Sequence, residues 1–168
     1  PLISSSVAQA METIDKKIKS TFVSMADVYQ PLPGVVYADK EMTQKGVAAE
    51  YYNNAELEGK PFVSFITDRV GIDDNKFGAH NDMANVSTRH TFYYKPEKDE
   101  VYHFSVCTND GYRCFVNDKP VMSVNRWHKS STQEGYMLLE MKAGQVYKFE
   151  LQHQNLSGSI YADMSFES

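Results

Sequence analysis

The side chains able to do chemistry in this sequence are dispersed. Five histidines, His80, His90, His103, His128 and His153, offer no pair at a zinc-ligand spacing, and Cys107 and Cys114 form no CxxC. Each histidine therefore reads as a surface or strand residue. No Gly-rich phosphate loop or nucleophile elbow is present. Asp73-Asp74 are adjacent carboxylates, but glycoside hydrolysis needs two carboxyl groups oriented across a cleft, and nothing marks this pair. The surrounding stretch 68–85, rich in Asp, Asn and Gly, reads as solvated loop, with calcium ligation as the less common alternative. No acid/base or nucleophile constellation emerges, so an enzyme in its own right is not the expectation. Asn85-Val86-Ser87 and Asn155-Leu156-Ser157 fit glycosylation sequons, which also arise by chance. What remains is a polar tip, Asn109-Asp110-Gly111, between two β-rich runs; a polar tip on a rigid scaffold is where binding groups tend to be placed.

The elements that must hold this tip read as strands. Asp-Gly between aromatic and β-branched runs is a strong hairpin signal, so 102–118 is expected to be a hairpin inside a sheet. A two-residue loop would set Cys107 opposite Cys114, close enough to permit a disulfide. The alternation opposes it: Tyr102, Phe104 and Val106 inward puts Cys107 out, whereas Tyr112, Cys114 and Val116 put Cys114 in. A bulge or longer loop would have to reconcile the faces, and two free thiols are the favoured reading.

Further strands are expected at 47–52, 89–94, 120–124, 136–141, 145–153 and 160–166, parted by turns rich in Gly, Asn and Asp. Short strands at this spacing indicate an all-β fold, an antiparallel β-sandwich or barrel. Residues 1–45 are less patterned. Val7, Met11, Ile14 and Ile18 have helical spacing, giving an amphipathic helix over 7–19, whereas the alternation after Lys17 favours a β-hairpin over about 17–38. Asp39 to Gly46 reads as a linker, which places the domain at 46–168 and a separate N-terminal segment at 1–45.

Bulk properties narrow the partners. With 168 residues the chain can bury a core without disulfides, and its 11 Tyr and 9 Phe lean towards β structure. A formal charge of −5 without a Lys/Arg cluster argues against nucleic acid, and no apolar run reaches the length of a bilayer span. The start, Pro1-Leu2-Ile3, has the look of a processed or excised end.

The order of these signals resembles the PA14 domain, the β-sandwich module named for the anthrax protective antigen and found also in bacterial glycosidases and yeast flocculin-type adhesins. The resemblance runs over roughly 46–168. It is carried by Gly46-Val47-Ala48-Ala49-Glu50-Tyr51-Tyr52, Ser87-Thr88-Arg89-His90, Val101-Tyr102-His103-Phe104, the stretch Thr108 to Lys119, Trp127, Ala143-Gly144-Gln145-Val146-Tyr147 and the last alternating strand. Together, in order and spacing, these are fairly specific. In sugar-binding members two aspartates at the central turn, joined by a cis peptide, hold Ca²⁺ with an Asn from a later loop, and sugar hydroxyls complete the metal shell. The resemblance thus implies Asn109, Asp110 and Asn155 as carbohydrate and calcium ligands. Asn109 stands where the pattern has Asp, and one carboxylate fewer lowers the attraction for a divalent cation. The bland alternative is a turn that binds nothing. Trp127, Tyr112 and Tyr136 are candidate stacking surfaces for a sugar, Trp127 being equally readable as core.

The resemblance further implies a non-catalytic carbohydrate-binding accessory module of a secreted, periplasmic or cell-surface glycan-degrading enzyme. Its partners would be a glycan and the parent's catalytic domain, of the family-three β-glucosidase or β-hexosaminidase kind. The alternative is a structural module packed on that catalytic domain, presenting an apolar patch to it. Residues 1–45 more loosely resemble the last strands of the small β-domain of chitobiase-type enzymes, which would make the chain an excised C-terminal piece.

Overall fold

The computed structural model describes residues 35–78, 83–122 and 126–167. Among these residues nine strands form two antiparallel sheets. They are β1 (Val47–Tyr52), β2 (Val63–Thr67), β3 (Val86–Tyr94), β4 (Glu100–Asn109), β5 (Tyr112–Val116), β6 (Lys119–Val121), β7 (Gln133–Met141), β8 (Tyr147–Asn155) and β9 (Tyr161–Glu167). The larger sheet has the order β2-β1-β3-β8-β5-β6 and the smaller β7-β4-β9. This is the expected all-β antiparallel sandwich. Among the described residues no helix is long and apolar enough to cross a membrane.

Two aromatic cross-strand pairs make the core. Phe92 and Phe149 lie opposite each other in the large sheet and stack at 4.9 Å; Phe104 and Phe166 do the same in the small sheet at 5.5 Å. The pairs meet edge to face, Phe104 against Phe149 at 5.8 Å, the geometry that ring quadrupoles favour. A second cluster lies under the 68–78 segment, where Phe77 stacks on Tyr51 at 5.0 Å and the Tyr51 hydroxyl accepts from Asp73 N–H at 2.9 Å. One aromatic ring thus anchors a polar loop to β1.

The expected hairpin over 102–118 is not formed. β4 pairs with β7 and β9, whereas β5 pairs with β8 and β6, so Asn109-Asp110-Gly111 carries the chain from one sheet to the other. The alternation of both strands is as read, with Tyr102, Phe104, Val106, Tyr112, Cys114 and Val116 all buried. The conflict over Cys107 and Cys114 disappears because the two strands are not neighbours, and both thiols are free. Gly111 is needed there for room: a Cβ would meet the Arg126 carbonyl oxygen at 2.5 Å and Gln154 Oε1 at 2.9 Å. A true two-residue hairpin lies just beyond, where Val116 pairs with Lys119 and Asn117 and Asp118 both have positive φ, as a type I′ turn requires.

Asp39 to Gly46 is no linker. Tyr37 exchanges two backbone bonds with Tyr93 of β3, Gly46 N–H donates to the Val36 carbonyl, and Val36 enters the core. The intervening loop is gathered by the Asp39 carboxylate, which accepts from the Thr43 and Gln44 amides and the Thr43 hydroxyl. The helix proposed over 7–19 and most of the hairpin over 17–38 lie outside the described residues. Strand β2 is the one the sequence pattern did not single out.

Candidate functional site

At the tip between the sheets, local bonds fix each backbone group. The Asn109–Asp110 peptide bond is cis. Asp110 N–H donates to the Gln154 carbonyl, Gln154 N–H donates back to the Gly111 carbonyl at 2.9 Å, and the Thr108 hydroxyl donates to the Asp110 carbonyl at 2.6 Å. From below, His153 Nε2 bonds the Asn109 carbonyl at 2.5 Å. A carbonyl only accepts, so Nε2 carries the proton and Nδ1 accepts from the Thr88 hydroxyl at 3.0 Å. Burial pushes the His153 imidazole down to about 4, which keeps it neutral in this role.

The side chains converge with the end of β8. Asp110 is 5% exposed, and its Oδ2 accepts from the amides of Leu156 at 2.8 Å and Ser157 at 3.2 Å, the two residues after Asn155. Asn155 is fully buried; its Nδ2 donates to the carbonyls of Met83 and Gly158, while its Oδ1 is buried without a partner among the described residues. Asn109 Oδ1 accepts from the Thr132 hydroxyl at 2.6 Å. The tip and the β8–β9 loop therefore stand side by side at one rim. Burial of Asn155 also takes the second sequon out of reach of a glycan.

This donor set is all oxygen, as a hard cation requires, and the orphaned Asn155 Oδ1 is a group a cation would satisfy. In that respect the residues fit Ca²⁺. They supply one carboxylate, and among the described residues no three His, Cys, Asp or Glu side chains group in a way that could hold a metal.

Beside the tip, two loops close in. Trp127 is 9% exposed; Arg113 lies over its ring at 3.8 Å and its Nε1 donates to Glu56 Oε2 at 3.1 Å. Its indole forms a wall with one face taken, instead of an open platform. His128 Nε2 bonds Glu56 Oε1 at 2.5 Å, and this contact holds the Glu56 carboxyl below the usual carboxylate range. Gln154 joins the loops to the sheet, its Oε1 accepting from His128 N–H at 2.8 Å and its Nε2 donating to the Ala55 carbonyl at 2.6 Å. Of the other aromatic candidates, Tyr112 is in the core, whereas Tyr136 is 81% exposed on β7 in the smaller sheet. Glu56, His128 and Gln154 had no sequence signal, since two loops 72 positions apart and a strand 99 positions from the first of them bring them together.

The PA14 domain model matches residues 43–167. The chain belongs to the PA14 domain family. Among characterised relatives it is similar to anti-sigma-I factor RsgI3 of Acetivibrio thermocellus, 28% identical over 145 residues, covering 78% of this chain and 21% of that protein. Among solved structures it is similar to the β-glucosidase from Kluyveromyces marxianus in complex with glucose, at a TM-score of 0.65 and 18% identity, covering 84% of this chain and 19% of that one. It is also similar to the epithelial adhesin 9 A domain from Candida glabrata in complex with Galβ1-3GlcNAc, at a TM-score of 0.54 and 14% identity, covering 83% and 88% of the two chains. At these identities the structural likeness shows the fold. The chain spans about a fifth of the length of the anti-sigma factor and of the β-glucosidase.

Proposed function

We propose that this domain is a non-catalytic carbohydrate-binding module, working outside the cytoplasm, with its primary site at the rim formed by Asn109, Asp110 and Asn155. The observation that carries this reading is the buried, unpartnered Oδ1 of Asn155 next to a carboxylate that two loop amides hold in place. Polar groups fixed in advance lose little freedom on binding a polyol. The glucose-bound β-glucosidase and the disaccharide-bound adhesin are consistent with it. Asp110, Asn155 and Asn109 would hold Ca²⁺, which would supply a charge that attracts sugar hydroxyls. Trp127 serves as the side wall. The parent is a glycan-degrading enzyme or an anti-sigma factor, a β-glucosidase and an anti-sigma-I factor both being among the proteins it is similar to.

The test is a glycan array that includes glucose, Galβ1-3GlcNAc and Galβ1-4GlcNAc, run with Ca²⁺ and with EDTA. Binding that EDTA weakens and Asp110→Ala abolishes is the expected result. No retention of any glycan in either condition would overturn the reading.

A second reading, a structural module packed on a catalytic domain, is favoured by a different face. Tyr136 at 81%, Leu138 at 57% and Val101 at 48% exposure make an apolar outer surface on the small sheet. Fusing the chain to a candidate catalytic domain would separate the two: on the second reading, Tyr136→Ser with Leu138→Ser lowers the fusion's melting temperature and spares glycan binding.

A further inference from the structure

The outer face of the large sheet carries a polar row that the rim site leaves unused. In register across four adjacent strands stand Glu50 of β1, Arg89 of β3, Gln152 of β8 and Arg113 of β5. Strands sit about 4.8 Å apart, so the row spans ~14 Å, perpendicular to the strands. Each member is held before any ligand arrives. Arg89 bonds the Tyr52 hydroxyl at 2.9 Å and pairs with both Glu50 and Glu150 at 3.5 Å. Gln152 donates through Nε2 to Glu150 Oε2 at 2.6 Å, and this bond fixes which end of the amide is oxygen. The amide oxygen so defined is buried without a partner among the described residues, in a residue 9% exposed. An unanswered buried acceptor between two arginines is costly in the free protein, and that cost is recovered when the flanking side chains part to admit a hydroxyl donor.

Arg113 connects this row to the rim. Its guanidinium covers Trp127, whose indole N–H is bonded to Glu56, whose carboxylate bonds His128. His128 N–H lies 3.1 Å from where a Cβ on Gly111 would stand, beside Asp110. A continuous path of fixed donors and acceptors therefore runs from the rim onto the sheet. Its charges cancel along the way: Arg89 lies between Glu50 and Glu150, Glu150 is also paired with Lys148 at 3.9 Å, and Arg113 lies near Glu56. A balanced row has no net pull on a polyanion and suits a neutral polyol.

We propose that the domain binds the interior of a neutral polysaccharide chain, with one sugar at the rim and the following sugars laid across the Arg113–Gln152–Arg89 row. This rests on the rim reading and extends it from a monosaccharide site to a polymer site.

The experiment is calorimetric titration of the 168-residue chain with glucose, xylose, cellohexaose and xylohexaose, and with oligogalacturonate as the anionic control. At least one hexasaccharide is expected to bind about tenfold or more tighter than its monosaccharide, a gain of at least one decade in Kd. Gln152→Ala is expected to remove that gain and leave monosaccharide binding as it was, and Arg113→Ala, which also uncovers Trp127, is expected to remove the gain. Arg113 is exposed, so its variant folds even if the Gln152 variant does not. Equal affinity for hexamer and monomer, or a gain that survives Arg113→Ala, overturns the polymer site and leaves the rim reading standing. A hexasaccharide bound through the row but indifferent to Asp110→Ala would support the row and defeat the rim. Failure to bind any of these sugars defeats both, and preference for oligogalacturonate defeats the neutral ligand.

Discussion

His153 of β8 holds up the tip from inside the sandwich: its Nε2 donates to the Asn109 carbonyl while its Nδ1 takes the Thr88 hydroxyl. The imidazole is fully buried, so no water can replace either bond. Its geometry links β3, β8 and the crossing between the sheets in one chain of bonds. Phenylalanine keeps an aromatic ring at this position and strands two polar partners. His153→Phe is therefore expected to cost about 2–4 kcal/mol, one unmet carbonyl and one unmet hydroxyl. Urea unfolding at pH 7 measures it; a loss below about 0.5 kcal/mol would show that the tip does not depend on this bond.

Acid should loosen the domain in a defined window. Burial pushes both His90 and His153 down to about 4, so between there and the ordinary 6.5 the unfolded chain takes up two protons that the folded one refuses. That contribution is intact above pH 6.5 and is lost as pH falls towards 4. Asp163 acts in the opposite sense: burial raises its carboxyl to about 6 from 3.8, so its stabilisation is present below 3.8 and is lost as pH rises through 6. Between pH 4.5 and 5.5 the three groups leave one excess proton on the unfolded chain, a slope of about 1.4 kcal/mol per pH unit. Asp163→Asn removes the opposing group and should roughly double that slope. Denaturant midpoints at pH 7, 5.5 and 4.5 for both proteins report it, and an unchanged slope in the variant would refute the assignment.

The part of this fold that was legible from sequence is the part set by alternation. Tyr102-x-Phe104-x-Val106 and Tyr112-x-Cys114-x-Val116 declare which side of each strand is dry, and the structure agrees. Alternation does not say which strand lies alongside, because any partner in a sandwich satisfies the same inward face. The Asp110-Gly111 pair looked like a hairpin turn since Gly usually marks positive φ; here it marks the passage of the 126–128 backbone. Asn117-Asp118 had the turn chemistry and made the hairpin. The rim residues Asn109, Asp110 and Asn155 were reached through family likeness. Glu56, His128 and Gln154 belong to no pattern, because a hydrogen bond spanning 99 positions leaves no local periodicity.

Gly111 gives a direct check on that close approach. Its φ lies outside the left-handed region, so alanine there meets no backbone penalty of its own. The added methyl would sit 2.5 Å from the Arg126 carbonyl oxygen, a backbone atom that cannot swing aside as a side chain would. Gly111→Ala is expected to lose about 1–3 kcal/mol and to push the Trp127-His128 segment off the rim. Tryptophan fluorescence reads the displacement directly, since Trp127 is the single tryptophan. A variant with wild-type stability and emission would mean that the loop does not lie against the tip.

Asn109 offers the cleanest test of the metal proposal. Its Oδ1 sits at the rim on the Thr132 hydroxyl. Asn109→Asp changes one amide into a carboxylate of nearly the same shape, so packing is conserved and only the charge differs. A hydroxyl donates equally well to a carboxylate, and the Thr132 bond survives. The added negative charge should tighten Ca²⁺ by about tenfold or more, roughly 1.4 kcal/mol. Asn155→Ala, which deletes the orphaned oxygen, should weaken it by a similar factor. Calorimetry with CaCl₂ on the wild type and both variants measures the three affinities. If Asn109→Asp binds calcium no better than the wild type, the rim oxygens do not share one ion, and any sugar held there is held by the protein alone.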